Sequence, residues 1–142
     1  MTSYNDIYER FLQKITDYKL MDLSDDDISD MCHTWMISAI SKFRRCKNDL
    51  SLRDDEIATF TIDLLDLEIE ILAEMMVGEW VAPQLNSVLY TSQFFGGKEE
   101  KFYAQANQLE KLMELKHSSE LTAKKLMRDY GYQNAIWNRT TS

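Results

Sequence analysis

The sequence predicts an all-α chain, a bundle of about four helices with a long C-terminal helix and an extended C-terminal tail. Three observations carry this. Apolar residues recur at helical spacing along most of the chain. One proline and four glycines among 142 residues are too few punctuators for a turn-rich β fold. Only Thr59-Phe60-Thr61-Ile62 has the β-branched and aromatic content of a strand or an extended connection. No second convincing strand accompanies it, so no sheet is expected within the chain.

The first helix runs from about Tyr4 to Ile15, with Tyr4, Ile7, Tyr8, Phe11, Leu12 and Ile15 on one face. Ser3 is its N-cap, and Asp6 three residues on resembles a capping box. A link containing Tyr18, Leu20 and Leu23 leads to Ser24, which caps the second helix. Asp25, Asp26 and Asp27 occupy the first turn of that helix, and Lys42, Arg44, Arg45 and Lys47 its end, the arrangement the helix dipole favours. Its stripe is Ile28, Met31, Cys32, Trp35, Ala39 and Phe43, with Met36 and Ile40 on the flank. Residues 46–63 are irregular and rich in turn formers, among them Asn48-Asp49, Ser51 and Asp54-Asp55.

A third helix begins near Leu64, with Asp63 as its cap. Ile69, Leu72, Ala73, Met76 and Trp80 form its apolar face, and Ile71, Met75 and Val77 widen it. A face that broad belongs to a helix central in a bundle or shared with a neighbouring chain. Gly78 costs about 1 kcal/mol against alanine inside a helix, which a close helix contact would explain. Pro83 ends or kinks the helix. Val88 to Gly97 reads as a loop whose Leu89, Tyr90, Phe94 and Phe95 need covering by the core or by a partner.

The last helix runs from about Lys98 to Asp129, a length of about 48 Å. A compact chain of this size has a radius of gyration of about 14–15 Å, so a straight helix of that length projects from its own domain. Phe102, Ala106, Leu109, Leu112 and Met113, then Leu121, Leu126, Met127 and Tyr130, are its apolar positions. Between them Lys116-His117-Ser118-Ser119-Glu120 is polar all round, so the helix either breaks or leaves the core there. Residues 131–139 form a tail. One domain results, with residues 1–115 as the helical core and 116–142 as helix extension and tail.

Charge narrows the functional classes. The net charge is −8, and it is uneven: residues 1–97 hold 8 basic and 18 acidic groups, residues 98–142 hold 8 and 6. An acidic chain is a poor duplex-DNA binder, because that affinity comes from neutralising phosphates. It suits a protein that must not stick to DNA or one that imitates it. No apolar run reaches the ~20 residues of a membrane span. The first residues lack the basic and apolar regions of a signal peptide. Cys32 and Cys46 are too few for a disulfide framework and read as two reduced thiols.

No phosphate-loop, dinucleotide, nucleophile-elbow or CxxC motif is present. Asp30-x-x-His33 and Glu114-x-x-His117 have di-metal spacing, but His33 lies off its helix stripe and the second pair lies in the polar segment, so no metal is expected. The paired acids Glu68/Glu70, Asp54/Asp55 and Glu99/Glu100 read as solvated faces and caps rather than acid–base pairs. Trp35 and Trp80 sit on stripes and read as core. Trp137, in a polar tail beside Tyr132, Ile136 and Arg139, has the composition of a binding anchor.

Three stretches then stand out together. One is Asp22-Leu23-Ser24-Asp25-Asp26-Asp27-Ile28, running to Ile37-Ser38-Ala39-Ile40-Ser41-Lys42-Phe43. The second is Phe60-Thr61-Ile62-Asp63-Leu64, with Glu68-Ile69-Glu70-Ile71-Leu72-Ala73 and Met76-Val77-Gly78-Glu79-Trp80. The third is Phe102-Tyr103-Ala104-Gln105-Ala106-Asn107-Gln108-Leu109. In this order they resemble the small helical head–tail connector (adaptor) proteins of tailed bacteriophages. The resemblance spans residues 4–132 and rests on pattern and order, without a catalytic signature.

The resemblance implies a non-enzymatic protein without cofactor, located in the virion neck and made in the cytoplasm of a bacterial host. About twelve copies would form a ring under the portal protein. DNA would pass through without specific binding, a stopper or tail-completion protein would dock opposite, and no membrane would be involved. Tyr130, Tyr132, Ile136, Trp137 and Arg139 are then expected to reach the portal. Ile71, Met75, Leu89, Tyr90, Phe94 and Phe95 are expected between subunits. Asp25, Asp26, Asp27, Asp54, Asp55 and Glu56 are expected to face the channel or the stopper. The alternative is an acidic DNA mimic that inhibits a nuclease or restriction enzyme; the basic run Lys42–Lys47 interrupts the continuous acidic stripe such a mimic needs.

Overall fold

A computed structural model describes residues 1–15, 23–95 and 99–141; its described side chains are those of 1–15, 23–87 and 107–133. The elements are β1 (Thr2–Ser3), α1 (Tyr4–Lys14), α2 (Asp25–Lys42), β2 (Arg53–Asp54), β3 (Thr59–Phe60), α3 (Asp66–Phe95) and α4 (Glu99–Thr141). The chain is mostly helical, as expected. The link residues Tyr18 and Leu20 and the pair Gly96-Gly97 lie outside the described residues.

Both serine caps form. Ser3 Oγ accepts the Asn5 N–H and Ser24 Oγ accepts the Asp27 N–H. On α1, Tyr4, Ile7, Tyr8 and Phe11 are buried, as their spacing requires. On α2 the buried residues are Cys32, Met36 and Ala39, followed by Phe43 at the C-cap. That face is rotated from the expected stripe: Met36 is core, Met31 is exposed, and Trp35 is half-buried with its ring 5.5 Å from that of Phe11.

A small sheet is present where none was expected. β3 lies between β1 and β2 and pairs antiparallel with both, with Thr2 opposite Phe60 and Arg53 opposite Phe60. Strands of two residues are too short to show an alternating pattern, and β1 is hidden in the sequence by the cap that follows it. The β2–β3 turn puts Ala58 at φ 51°, a left-handed conformation. Its carbonyl accepts the Tyr4 N–H at 2.9 Å, which ties the turn to the start of α1. Thr2 Oγ1 accepts the Leu64 N–H at 2.9 Å, so the sheet also fixes the approach to α3.

α3 is the central helix: α1, α2 and α4 all pack on it. Ile71, Leu72, Ala73, Met76, Val77, Trp80 and Val81 are buried along its broad face. Burying each large apolar side chain contributes about 1.5–3 kcal/mol. The helix starts at Asp66, two residues later than expected, and Asp63 pairs instead with the Met1 ammonium group. It runs through Pro83 to Phe95. A proline there removes one backbone bond, to the carbonyl four residues earlier, without ending the helix. The segment expected as a loop at 88–95 is therefore helical.

α4 is unbroken across Lys116–Glu120 and continues to Thr141, through the segment expected as a tail. Forty-three residues correspond to about 65 Å. Leu112, Ser119, Ala123 and Tyr130 are its buried residues among those described. Ser119 enters the core because it is small and its hydroxyl donates to the Lys116 carbonyl at 2.9 Å. The polar segment thus stays on the core, while Met113 and Leu121 turn outward. Glu68 meets Tyr130, and Gly78 meets Ser119, so α3 and α4 run antiparallel. A Cβ placed on Gly78 would sit 3.9 Å from Ser119 Oγ, an ordinary contact, so the crossing is close but does not require glycine.

Candidate functional site

The most heavily bonded polar group described is Glu68, fully buried at the start of α3. Leu65, just before the helix, donates its N–H to Oε1 at 2.7 Å, and Asn48 Nδ2 donates to the same oxygen at 2.6 Å. Tyr130 Oη donates to Oε2 at 2.8 Å, and Cys46 Sγ donates to it at 3.1 Å. The Leu65 bond is the return half of a capping box, in which the third helical residue reaches back to the cap N–H. The other three donors come from the α2–α3 connection and from α4. Tyr130 Oη also accepts the Lys47 N–H at 2.7 Å, and its ring packs edge-on to Phe43 at 5.6 Å.

A buried carboxylate is costly unless hydrogen bonds replace its water. Burial pushes the Glu68 carboxyl upward, while the bonds from Leu65, Cys46, Tyr130 and Asn48 lower it; the bonds prevail and hold it below its ordinary range. The same contacts act oppositely on the thiol. Burial first, then the bond to Glu68, pushes Cys46 up to about 12, and burial raises Cys32 to about 11. Neither thiol is therefore activated as a nucleophile. The four bonds occupy both Glu68 oxygens, so the cluster acts as a clamp between α3, the 43–52 connection and α4 rather than as an acid–base pair. Glu68, expected on a solvated face, is buried instead; its cue is its place between Leu67 and Ile69, inside the apolar run.

Two concavities accompany the helix packing, the second of them bordering the clamp at Cys46 and Asn48. One, of about 330 Å³, is lined by Lys42, Gly78, Glu79, Ser119, Ala123 and Lys124, among others, with Lys42 and Glu79 ion-paired across it. A second, open dish of about 430 Å³ sits over the connection, with Arg44, Lys47 and Asp49 at its rim. Among the described residues no group of three or more His, Cys, Asp or Glu is placed to hold a metal, and no helix is long and apolar enough to cross a membrane.

The acidic residues singled out from the sequence fall in two places. Asp25, Asp26 and Asp27 are exposed on the first turn of α2. Asp54 ends β2, Asp55 and Glu56 lie on the β2–β3 turn, and all three are exposed. Asp55 is engaged within the chain: Tyr4 Oη donates to Oδ1 at 2.6 Å, and His33 Nε2 lies 3.3 Å from the same atom. Those two bonds, with Tyr4 first, hold the Asp55 carboxyl below its usual range. Through His33 the turn rests against the third turn of α2. On the opposite side, Arg10 pairs with Asp66 at 2.7 Å, and Lys14 pairs with Glu70 and Glu74, which pins α1 to α3.

Two assignments change. Ile71, expected between subunits, is fully buried in its own core. Tyr130, expected to reach a portal, is buried with its hydroxyl committed to Glu68 and Lys47. Both lie on helix faces that the antiparallel α3–α4 pair turns inward. Met75 is half-buried and lines the first groove, and Tyr132 is 69% exposed. The side chains of Leu89, Tyr90, Phe94, Phe95, Ile136, Trp137 and Arg139 lie outside the described residues. No protein-family model, curated protein or solved structure matches the chain.

Proposed function

We propose that the chain is a structural head–tail connector of a tailed phage, a subunit of a ring beneath the portal that lengthens the DNA channel and receives the stopper or tail. The reading rests on the ordered sequence resemblance. The structural observation that supports it best is the end of α4. Tyr130 is the last residue this helix contributes to its own core among those described, yet the helix continues to Thr141. Eleven further residues add about 16 Å of helix. A helical end that runs on past Tyr130 suits docking on a larger assembly. The surplus of acid over base suits a wall past which DNA slides without being held.

In this reading the last turns of α4, with Ile136, Trp137 and Arg139, engage the portal, and no catalytic role is assigned to any residue. Native mass spectrometry of the chain alone and with the portal protein of the same genome tests it. The expected result is a portal-bound complex with about one copy of the chain per portal subunit. Truncation after Gln133 keeps Tyr130 and hence the clamp, and keeps Tyr132, so it should preserve helicity and abolish that complex. A chain that stays monomeric and unbound in both samples overturns the reading and favours the acidic inhibitor of a nuclease.

A further inference from the structure

The three turns of α4 around Tyr130 have two faces. One carries Ala123 and Tyr130 into the core. The other is a stripe at positions 121, 125, 128 and 132, the i, i+4, i+7, i+11 spacing of a second helix-packing face. Its ends are apolar, Leu121 at 53% and Tyr132 at 69% exposure, and between them lie exposed Lys125 and Arg128. Over residues 121–133 the helix holds three cations and one acid, Asp129.

The start of α2 has the opposite character. Leu23 and Met31, 38% and 37% exposed, flank exposed Asp27 and Asp30, and residues 23–31 hold four acids and no base. Asp27, Asp30 and Met31 lie within one side of the helix, since steps of three and four residues return to the same face. None of Asp27, Asp30, Lys125 and Arg128 makes an ion pair among the described residues. Each stripe is thus an apolar pair around two like charges, and the two are of opposite sign.

We infer that the Leu121–Lys125–Arg128–Tyr132 face of α4 docks on the start of α2, at Asp27, Asp30 and Met31 with Leu23 just before the helix, in a second copy of this chain. The contact is heterologous, with different patches on the two copies, so it propagates from copy to copy and closes into a ring if the rotation permits. The apolar ends supply burial and the charges set register and choice of partner. This deepens the connector reading, on which the closed ring rests, by naming the surfaces through which neighbouring copies meet.

Sedimentation velocity on the full chain tests it with two reversed variants: Lys125→Glu with Arg128→Glu, and Asp27→Lys with Asp30→Lys. Wild type should self-associate at ~0.05 M salt and dissociate at ~0.5 M, where screening cuts exposed charge pairs to a few ångströms. Each reversed variant should associate at least roughly tenfold more weakly. Their equimolar mixture should recover association, because each now offers the stripe the other lacks. Helical circular dichroism confirms folding; Asp30→Lys alone, beyond the first turn of α2, replaces the double variant if that does not fold. Wild type that stays monomeric at low salt, variants as tight as wild type, or a mixture no tighter than its components each overturn the pairing. The two proposals fail separately. A wild type that associates but ignores the portal protein removes the connector reading and leaves the pairing, and portal-bound rings formed equally by both reversed variants do the reverse.

Discussion

The Tyr130 hydroxyl donates to Glu68 Oε2 at 2.8 Å across 62 residues of sequence, and both side chains are buried. The same phenol oxygen accepts the Lys47 N–H. Tyr130→Phe keeps the ring against Phe43 but leaves that N–H and one carboxylate lone pair unmet. The expected loss is about 1–3 kcal/mol. Thermal unfolding read by circular dichroism should show it as a fall of about 4 °C per kcal/mol. An unchanged midpoint would mean that water replaces the phenol without cost.

Glu68 also makes stability depend on pH. Its folded pKa lies below the unfolded one, so its contribution is complete above the unfolded value and is lost as pH falls through the folded one. Stability should therefore decline below about pH 4.3, the ordinary glutamate value. Glu68→Gln should be less stable at neutral pH, because one amide cannot accept four donors, and should lose less on acidification. Urea titrations of both proteins at neutral and acid pH check this; parallel losses would assign the acid sensitivity to other carboxylates, Asp55 among them.

Glycines at 78 and 131 lie inside helices, and an added Cβ finds Ser119 at 3.9 Å in the first case and nothing within 4 Å in the second. Gly78→Ala and Gly131→Ala should each stabilise by about 0.5–1 kcal/mol. Midpoint shifts in denaturant give the answer. A loss at position 78 would show that α3 and α4 approach more closely than described.

Both thiols are raised by burial, Cys32 to about 11 and Cys46 to about 12. Neither should react appreciably with a disulfide reagent at pH 8 in the native protein, and both should react on unfolding. Fast labelling of Cys46 alone would report that the clamp opens locally.

The parts of this fold that were legible in the sequence are those in which one residue type has one job. Ser3 and Ser24 had to be caps, and Tyr4, Ile7, Tyr8 and Phe11 had to share a face. The sheet was not legible, because two-residue strands carry no period and Thr2–Ser3 already had a role as the approach to a cap. Ser119 was not legible either: burial of a small hydroxyl depends on a partner carbonyl within its own helix, which composition does not reveal. The clamp combined both problems. Glu68 sits where an amphipathic helix would expose an acid, and the groups that make its burial tolerable come from residues 46, 48 and 130. Likewise Asp55 has no visible partner in the sequence, because Tyr4 and His33 belong to two helices distant along the chain.

The order in which the chain is made gives the clamp a temporal side. At about 5–20 residues per second, Tyr130 follows Glu68 from the ribosome by about 3–12 s. In that interval a nascent chain holds the carboxylate and two of its side-chain donors but lacks the phenol, and the α3 surface that meets α4 is open. A bundle that is sealed last by α4 is vulnerable to misassociation until that helix has been made. Synonymous changes that slow translation between codons 69 and 130 should therefore raise aggregation without altering a single residue of the product.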